Sequence, residues 1–429
     1  MAGTVRQPID EAALARYLST AAPTISQPFT VKQFGFGQSN PTYQLTSLPT
    51  APGGKPQHHV LRKKPPGALV SKTAHKVERE YRVLSALSNA SRSESSRESS
   101  APGVPVPKTV CLCEDSSVIG TPFYVMEFVE GRIFEDFLMP DVVAADRAAM
   151  WRQAVTVLSA LHAVDYKGIG LETFGRPNGF FPRQVATWKA ICEAQQKVRD
   201  VETGEPVGRL PYMDELLQYF GDPKNQPRDR AGLVHGDFKI DNMMFAREGT
   251  EVPRDRAGLV HGDFKIDNMM FAREGTEVVG LLDWEMSTIG HPLSDLCNFL
   301  TKFILARQSE VAAASGITIT KVAGPAGNPL AVSDPAFLPG RTPGLPSLDE
   351  IVSWYAASSG YDPRIGNELV YGMAFTIFRL AAICHGIAAR YALRQASSAM
   401  ARQNGLQMVP LAEYAWALVL ATKKLTLKL

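Results

Sequence analysis

The sequence predicts an α+β fold, and three observations carry that expectation. Strand-like segments crowd the first third of the chain, helical periodicity dominates the remainder, and one short strand pair interrupts the helical part. Elements segregated in this way pack as α+β rather than as an alternating parallel sheet. The 429 residues are 45% hydrophobic and 21% charged, which exceeds the usual single-domain size and suits two lobes around real cores.

The elements follow in order. Phe29 to Val60 reads as strand, glycine-containing turn, strand and a Pro/Gly loop (Pro49 to Pro56), and Val60-Leu61-Arg62-Lys63 as a strand ending in cations. Val77, Tyr81, Leu84 and Leu87 recur at helical spacing, so His75 to Leu87 is a helix. Ser88 to Gly103 is a Ser/Arg/Glu run with almost nothing apolar, the composition of a disordered surface insert. Thr109 to Glu114 and Pro122 to Val129 are two further strands, and the chain leaves its first lobe at Glu130-Gly131. Arg147 to Ala163, Trp188 to Val198 and Met213 to Phe220 are helix candidates. Ser309 to Pro346 is rich in Ala, Gly and Pro and is expected to be a long loop or partly disordered insert. Leu369 to Leu393 is apolar but contains Arg379, His385 and Arg390, which suits a buried helix better than a bilayer span.

Composition also narrows function. A net charge of +2, without a basic stripe interleaved with aromatics, speaks against nucleic acid or a membrane as partner. Met1 to Pro28 is polar and has no signal-like apolar stretch, and five cysteines, an odd number, fit free thiols in a reducing, cytoplasmic setting. Cys111 and Cys113 alone make no four-ligand zinc site, so packing is their expected role. The terminal Leu427-Lys428-Leu429 differs at its first position from the peroxisomal Ser-Lys-Leu address.

One block carries chemistry, and it occurs twice. The 26 residues Pro227–Val252 recur without a difference as Pro253–Val278, which marks a tandem duplication, in the gene or in its reconstruction, rather than a solenoid of imperfect repeats. Each copy contains the pattern His-x-Asp followed five residues later by Asn: His235, Asp237 and Asn242, then His261, Asp263 and Asn268. In phosphoryl transfer such an Asp orients or deprotonates the attacking hydroxyl and the Asn helps to hold Mg²⁺. Downstream, the apolar run Val279 to Leu282 delivers Asp283, a second metal candidate. A lone Asp-x-x-x-x-Asn would be read as turn and cap chemistry. The preceding His, the flanking apolar strands and a second strand ending in Asp favour catalysis. Gly35, Gly37, Ser39 and Asn40 form a candidate phosphate-covering loop, although two glycines in a hairpin also make a plain turn. Asp295 is read as an N-cap or a brace for the catalytic loop.

These motifs resemble the aminoglycoside phosphotransferase and choline kinase superfamily. The likeness is closest to the kinase-like N-terminal domain of bifunctional acyl-CoA dehydrogenases. It rests on Val234-His235-Gly236-Asp237 with Asn242, Leu282-Asp283-Trp284-Glu285, Gly37 to Tyr43, Val60 to Gly67, Glu78-Arg79-Glu80-Tyr81, Pro122 to Glu127, His162 with Asp165, Phe174 to Pro177 and Gly290 to Asp295. The resemblance implies a bilobal protein-kinase-like fold, with a small antiparallel-sheet N-lobe over residues 1–130, a larger helical C-lobe over 131–429, and ATP and Mg²⁺ as cofactors. It implies Arg62 as the phosphate-pairing cation, with Lys63 as rival and Glu80 as helix partner, and Met126, Glu127 and Phe128 bordering the adenine. A small-molecule hydroxyl is then the acceptor, by analogy a hydroxyacyl-CoA or hydroxy acid, although the chain leaves no room for the dehydrogenase itself. An alternative is a catalytically impaired nucleotide-binding module, a pseudokinase in effect, because the catalytic block is doubled.

Only one Asp283 exists, so one copy completes the site. With the second copy, Met269-Met270-Phe271 pairs with Val278 to Leu282 through the short turn Ala272 to Glu277, far nearer the usual hairpin loop of about 2–5 residues than a loop holding a whole extra copy. The expectation is therefore Asp263 as base with His261, and Asn268 with Asp283 on the metal, while Asp237 and Asn242 are the alternative copy.

Overall fold

The computed structural model describes residues 2–3, 7–34, 40–49, 54–65, 76–91, 103–134, 136–237, 243–245, 275–322, 333–396 and 400–424. Contact density divides the chain into two units, Met1–Gly175 with His235–Thr288, and Arg176–Val234 with Ile289–Leu429. The strand-rich segment ends near residue 130, but 131–175 and 235–288 pack with it.

The first unit is built on an antiparallel sheet of β1 (Ala2–Gly3), β2 (Phe29–Phe34), β3 (Thr42–Ser47), β4 (Gln57–Lys63), β5 (Thr109–Cys113) and β6 (Phe123–Glu127), in the order β1-β2-β3-β4-β6-β5. Register places Tyr43 opposite Leu61, Leu61 opposite Val125 and Arg62 opposite Tyr124. Because side chains alternate along a strand, Tyr43, Leu45, Leu61, Phe123 and Val125 share one face. They form a core there with Cys111, Cys113 and the helix α1 (Glu11–Ala21), through Leu14 and Leu18. Both cysteines are buried packing residues, as their strand positions suggest. Helix α1 escapes the polar reading of the N-terminus, yet its signals are present. Asp10 caps it, accepting from the Ala13 amide at 2.8 Å, and Ile9, Leu14 and Leu18 line one side.

The opposite sheet face carries Arg62 and Tyr124 toward α2 (Val77–Ala90), where the Tyr81 and Tyr124 rings meet at 6.0 Å. After α3 (Ala144–His162), two short ladders follow. Strand β7 (Gly232–Val234) pairs with β10 (Thr288–Gly290), and β8 (Met243–Phe245) pairs antiparallel with β9 (Val278–Leu281), Met243 facing Leu281. This corrects the expected hairpin. Among the described residues the partner of β9 is Met243–Phe245 of the first copy, whereas Met269–Phe271 of the second lies outside them. Identical blocks have identical local preferences, and loop-closure entropy grows only logarithmically with length, so a short turn is a weak selector.

The second unit is helical. It comprises α4 (Phe180–Gln195), α5 (Met213–Gly221), α6 (Leu293–Phe299), α7 (Thr301–Ala306), α8 (Gln308–Ser315), α9 (Leu348–Ser359), α10 (Glu368–Ala392), α11 (Ala401–Leu406) and α12 (Met408–Lys424). Helix α8 replaces the first part of the loop expected over Ser309 to Pro346. Gln308, Glu310 and Ala312 to Ala314 are good helix formers, Gly316 closes the helix in a left-handed conformation, and the short run is held by buried Val311 and by packing on α12. Helix α10 is long and apolar enough to cross a membrane, but 72% of its apolar window is buried, and it packs on α4, α6, α11 and α12.

Candidate active site

Strand β4 ends with two cations that alternation sends to opposite faces. Lys63 lies on the α1 side, 5% exposed, its ammonium 5.9 Å from the Tyr43 ring centre, and burial lowers its pKa. Arg62 lies on the α2 side, 1% exposed, among three carboxylates. Its guanidinium is 3.1 Å from Glu80, 3.3 Å from Asp283 and 3.8 Å from Glu285. Burial works against the Arg62 charge, but Glu80, Asp283 and Glu285 outweigh it and raise its pKa. For Glu80 burial pushes the carboxyl up while the facing guanidinium pulls it back. A buried charge this well surrounded is costly to assemble and costlier to break. Asn40, 1% exposed, donates to Glu285 at 3.4 Å, which brings the end of the predicted phosphate loop to the same cluster.

Asp283 reaches Arg62 from the end of β9 in a left-handed backbone conformation, φ 60° and ψ 67°. Non-glycine residues held there store strain of about 1–3 kcal/mol, which persists only where the surroundings over-determine it. The surroundings do so. The Trp284 indole donates to the Leu281 carbonyl at 2.9 Å and the Ser287 hydroxyl to the Trp284 carbonyl at 2.6 Å. His235, fully buried, donates from Nε2 to the Leu282 carbonyl at 2.5 Å and packs its ring 4.8 Å from that of Trp284. The His-Gly-Asp segment of the first copy is thereby fastened to the residue preceding Asp283. Asp237 follows, half-buried.

Between His235 and Asp237 the chain needs glycine. Gly236 has φ +87°, and a Cβ there would lie 2.5 Å from the Met286 carbonyl oxygen, a backbone atom. Gly236→Ala is expected to destabilise the protein by about 1–3 kcal/mol and to lower turnover, as measured by urea unfolding alongside an ATP-consumption assay.

More of the first copy is docked within the second unit. The Asp229 carboxylate accepts from the Gly179 amide at 2.8 Å, the Arg228 amide donates to Glu368 at 3.3 Å, and the Arg230 guanidinium lies 4.3 Å over the Tyr361 ring. His291 donates from Nε2 to the Arg228 carbonyl at 2.9 Å, and its Nδ1 accepts from the Leu293 amide at 3.1 Å. These bonds require the neutral ring, and burial pushes its pKa down to about 4. Below pH 6.5 the unfolded chain then binds more protons at this site than the folded one. Stability is therefore expected to fall by about 2–3 kcal/mol as pH drops from 7 toward 4.5, read as a urea-midpoint shift that shrinks in His291→Gln.

Of the residues expected from sequence, the structure brings together Arg62, Glu80, Asn40 and Asp283, and places Lys63 on the other sheet face. Met126 lies on the Arg62 face of β6 and is buried. Glu127 pairs with Lys108 at 3.4 Å, and the Phe128 amide is bonded to the His58 carbonyl. Gly35, Gly37, Ser39, Asn242, His261, Asp263 and Asn268 lie outside the described residues. Asp295 is fully buried in the first turn of α6 and does not cap it. Sequence reasoning quoted Glu285 within the Leu282 to Glu285 motif but gave it no role, although the Asp-x-Glu spacing at the end of an apolar strand was its signal.

The profile of the phosphotransferase enzyme family matches residues 30–253 and again 250–317, each stretch holding one copy of the repeated block. The chain is 34% identical over 411 residues to acyl-CoA dehydrogenase family member 10 of Mus musculus, covering 95% of this chain and 31% of that protein. It is 34% identical over 408 residues to family member 11 of Gallus gallus, covering 94% and 43% respectively. The chain thus spans less than half the length of these relatives. A crystal structure from Ralstonia eutropha, described as an aminoglycoside phosphotransferase, superposes with a TM-score of 0.67 at 30% identity, over 98% of this chain and 100% of that one. The GDP complex of aminoglycoside 2'-phosphotransferase-IIIa gives 0.50 at 13% identity over 95% and 99%, a likeness of fold alone. The fold is the protein-kinase-like one of the aminoglycoside phosphotransferases.

Proposed function

The chain belongs to the phosphotransferase enzyme family, and from that premise we propose that it moves the γ-phosphate of ATP, with Mg²⁺, to a hydroxyl of a small molecule. The single observation that carries the reading is the Arg62 cluster: a buried strand cation paired with a helix glutamate and with the Asp delivered by β9. In kinases a strand cation paired with a helix Glu positions the α- and β-phosphates, and an Asp placed like Asp283 serves the metal.

The residues fit a hard cation. Asp283 and Glu285 offer carboxylate oxygens only, and among the described residues no group of three or more His, Cys, Asp or Glu could form a protein-only metal cage. Oxygen donors from two carboxylates, completed by phosphates and water, suit Mg²⁺. Bound there, the ion supplies positive charge against the charge spreading over the transferred group. Arg62 meets the phosphates on the α2 side. Asp237 accepts the proton of the attacking hydroxyl, and His235 keeps that segment in register with Asp283. Asp237 of the first copy, rather than Asp263, is the proposed base, because His235 is bonded to the Leu282 carbonyl and Met243–Phe245 occupies the partner position of β9.

The acceptor is proposed to be a hydroxyacyl-CoA or a hydroxy acid, which the acyl-CoA dehydrogenase names of the long relatives support. A second reading, nucleotide binding without turnover, is favoured by the doubled catalytic block. Mg²⁺-dependent ATP consumption against hydroxyacyl-CoAs, hydroxy acids, choline and aminoglycosides separates the two. Turnover with one acceptor class supports the kinase. ATP binding with no turnover on any acceptor supports the impaired module.

A further inference from the structure

Glu80 can serve Arg62 only if α2 keeps its place. In protein kinases the corresponding helix is set by an ordered activation loop, and this sequence has no such interval after Asp283. Another device holds α2. Arg79, adjacent to Glu80 and therefore about 100° around the helix, points away from the sheet. Its guanidinium lies 3.8 Å over the Phe174 ring and donates from Nη2 to two backbone carbonyls, Phe174 at 2.5 Å and Ser287 at 3.1 Å. Arg82, one turn on, donates to the Gly170 carbonyl at 3.0 Å and the Thr173 hydroxyl at 2.8 Å. One side of α2 is thus pinned to the 170–174 segment and to the turn following Asp283, while the other presents Glu80 to Arg62.

We propose that Arg79 is a positioning residue for phosphate binding. By tying α2 to the Phe174 and Ser287 carbonyls, it fixes Glu80 against Arg62 and sets the helix permanently in its nucleotide-competent place. The proposal rests on the reading of Arg62 as phosphate partner. Ser287 lies four residues after Asp283, in a turn held by its own bonds to Trp284, and so serves as the fixed point to which Arg79 ties the helix that holds Glu80. The planar fork of arginine, stacked and doubly bonded, does what a lysine ammonium cannot.

The test is a double-mutant cycle read by the dissociation constant of Mg²⁺ with the fluorescent nucleotide mant-ATP, which needs no acceptor. Arg79→Ala and Glu80→Gln are each expected to weaken binding about 10- to 100-fold, and Arg79→Lys to recover only part of the loss. Because Arg79 acts through Glu80, the double variant should bind no more weakly than Glu80→Gln alone. Leu18→Ala, in the core on the other sheet face, is the stability control. It should lower the melting temperature without changing nucleotide affinity. Multiplying losses in the double variant, or parental affinity in Arg79→Ala, would overturn the proposal. Parental affinity in Glu80→Gln would overturn the reading of the Arg62–Glu80 pair itself, and the proposal with it.

Discussion

Replacing Asp237 by alanine is expected to lower kcat by about 10²- to 10⁴-fold, the usual worth of a general base, while Asp263→Ala leaves turnover within about twofold of the parent. The two substitutions remove the same side chain from the same local sequence, so composition cannot explain a difference between them. The expectation rests on the partners the structure gives the first copy, Asp263 and its neighbours lying outside the described residues. In the first copy, His235 is fastened to the Leu282 carbonyl, Gly236 fits under the Met286 carbonyl, and β8 is paired with β9. Upstream, the Arg228 carbonyl, the Asp229 carboxylate and the Arg230 guanidinium each have a partner in the second unit. Turnover measured for both variants, with a melting curve for each, decides the matter. Loss confined to Asp263→Ala would return the site to the second copy.

The second large effect concerns Arg62. Arg62→Met is expected to destabilise the protein by about 3–5 kcal/mol, because it leaves Glu80, Asp283 and Glu285 facing one another without a cation. Nucleotide affinity should fall with it. Arg62→Lys restores a charge but not a fork able to face three carboxylates, so it should recover stability in part. Urea unfolding and mant-ATP titration of both variants check this. A methionine variant as stable as the parent would show that the carboxylates find other partners or protonate at little cost.

How far this was legible in the sequence depends on the kind of signal. Helices α2 and α3 show in periodicity, because each buries one face and the apolar spacing records it, whereas α10, buried all round over residues 369–378, and strands β4 and β6, buried on both faces, show as continuous apolar runs. Helix α1 was missed because two buried leucines in a polar stretch are a faint stripe, and its Asp10 cap was not weighed. Helix α8 was missed because its short run of helix formers was read together with the Gly- and Pro-rich stretch that follows Gly316. In the site, Arg62, Glu80 and Asp283 were legible because each ends or faces a regular element. Whether Arg62 or Lys63 met Glu80 was not. That depends on which face of β4 looks toward α2, a fact of sheet register. A choice between the copies was not legible for a different reason. Local preference, hydrophobic pattern and turn chemistry are equal in two identical blocks, so only tertiary contacts, such as those of His235 and β8, can distinguish them.

The same identity has a genetic corollary. Excising Pro227–Val252 and excising Pro253–Val278 leave one and the same polypeptide. No truncation can assign a role to either block, and a single-block chain is equally the descendant of both. A difference between them has to be written in by point substitution before it can be observed. Until then, any exchange of one block for the other in the folded protein leaves mass, charge and composition untouched.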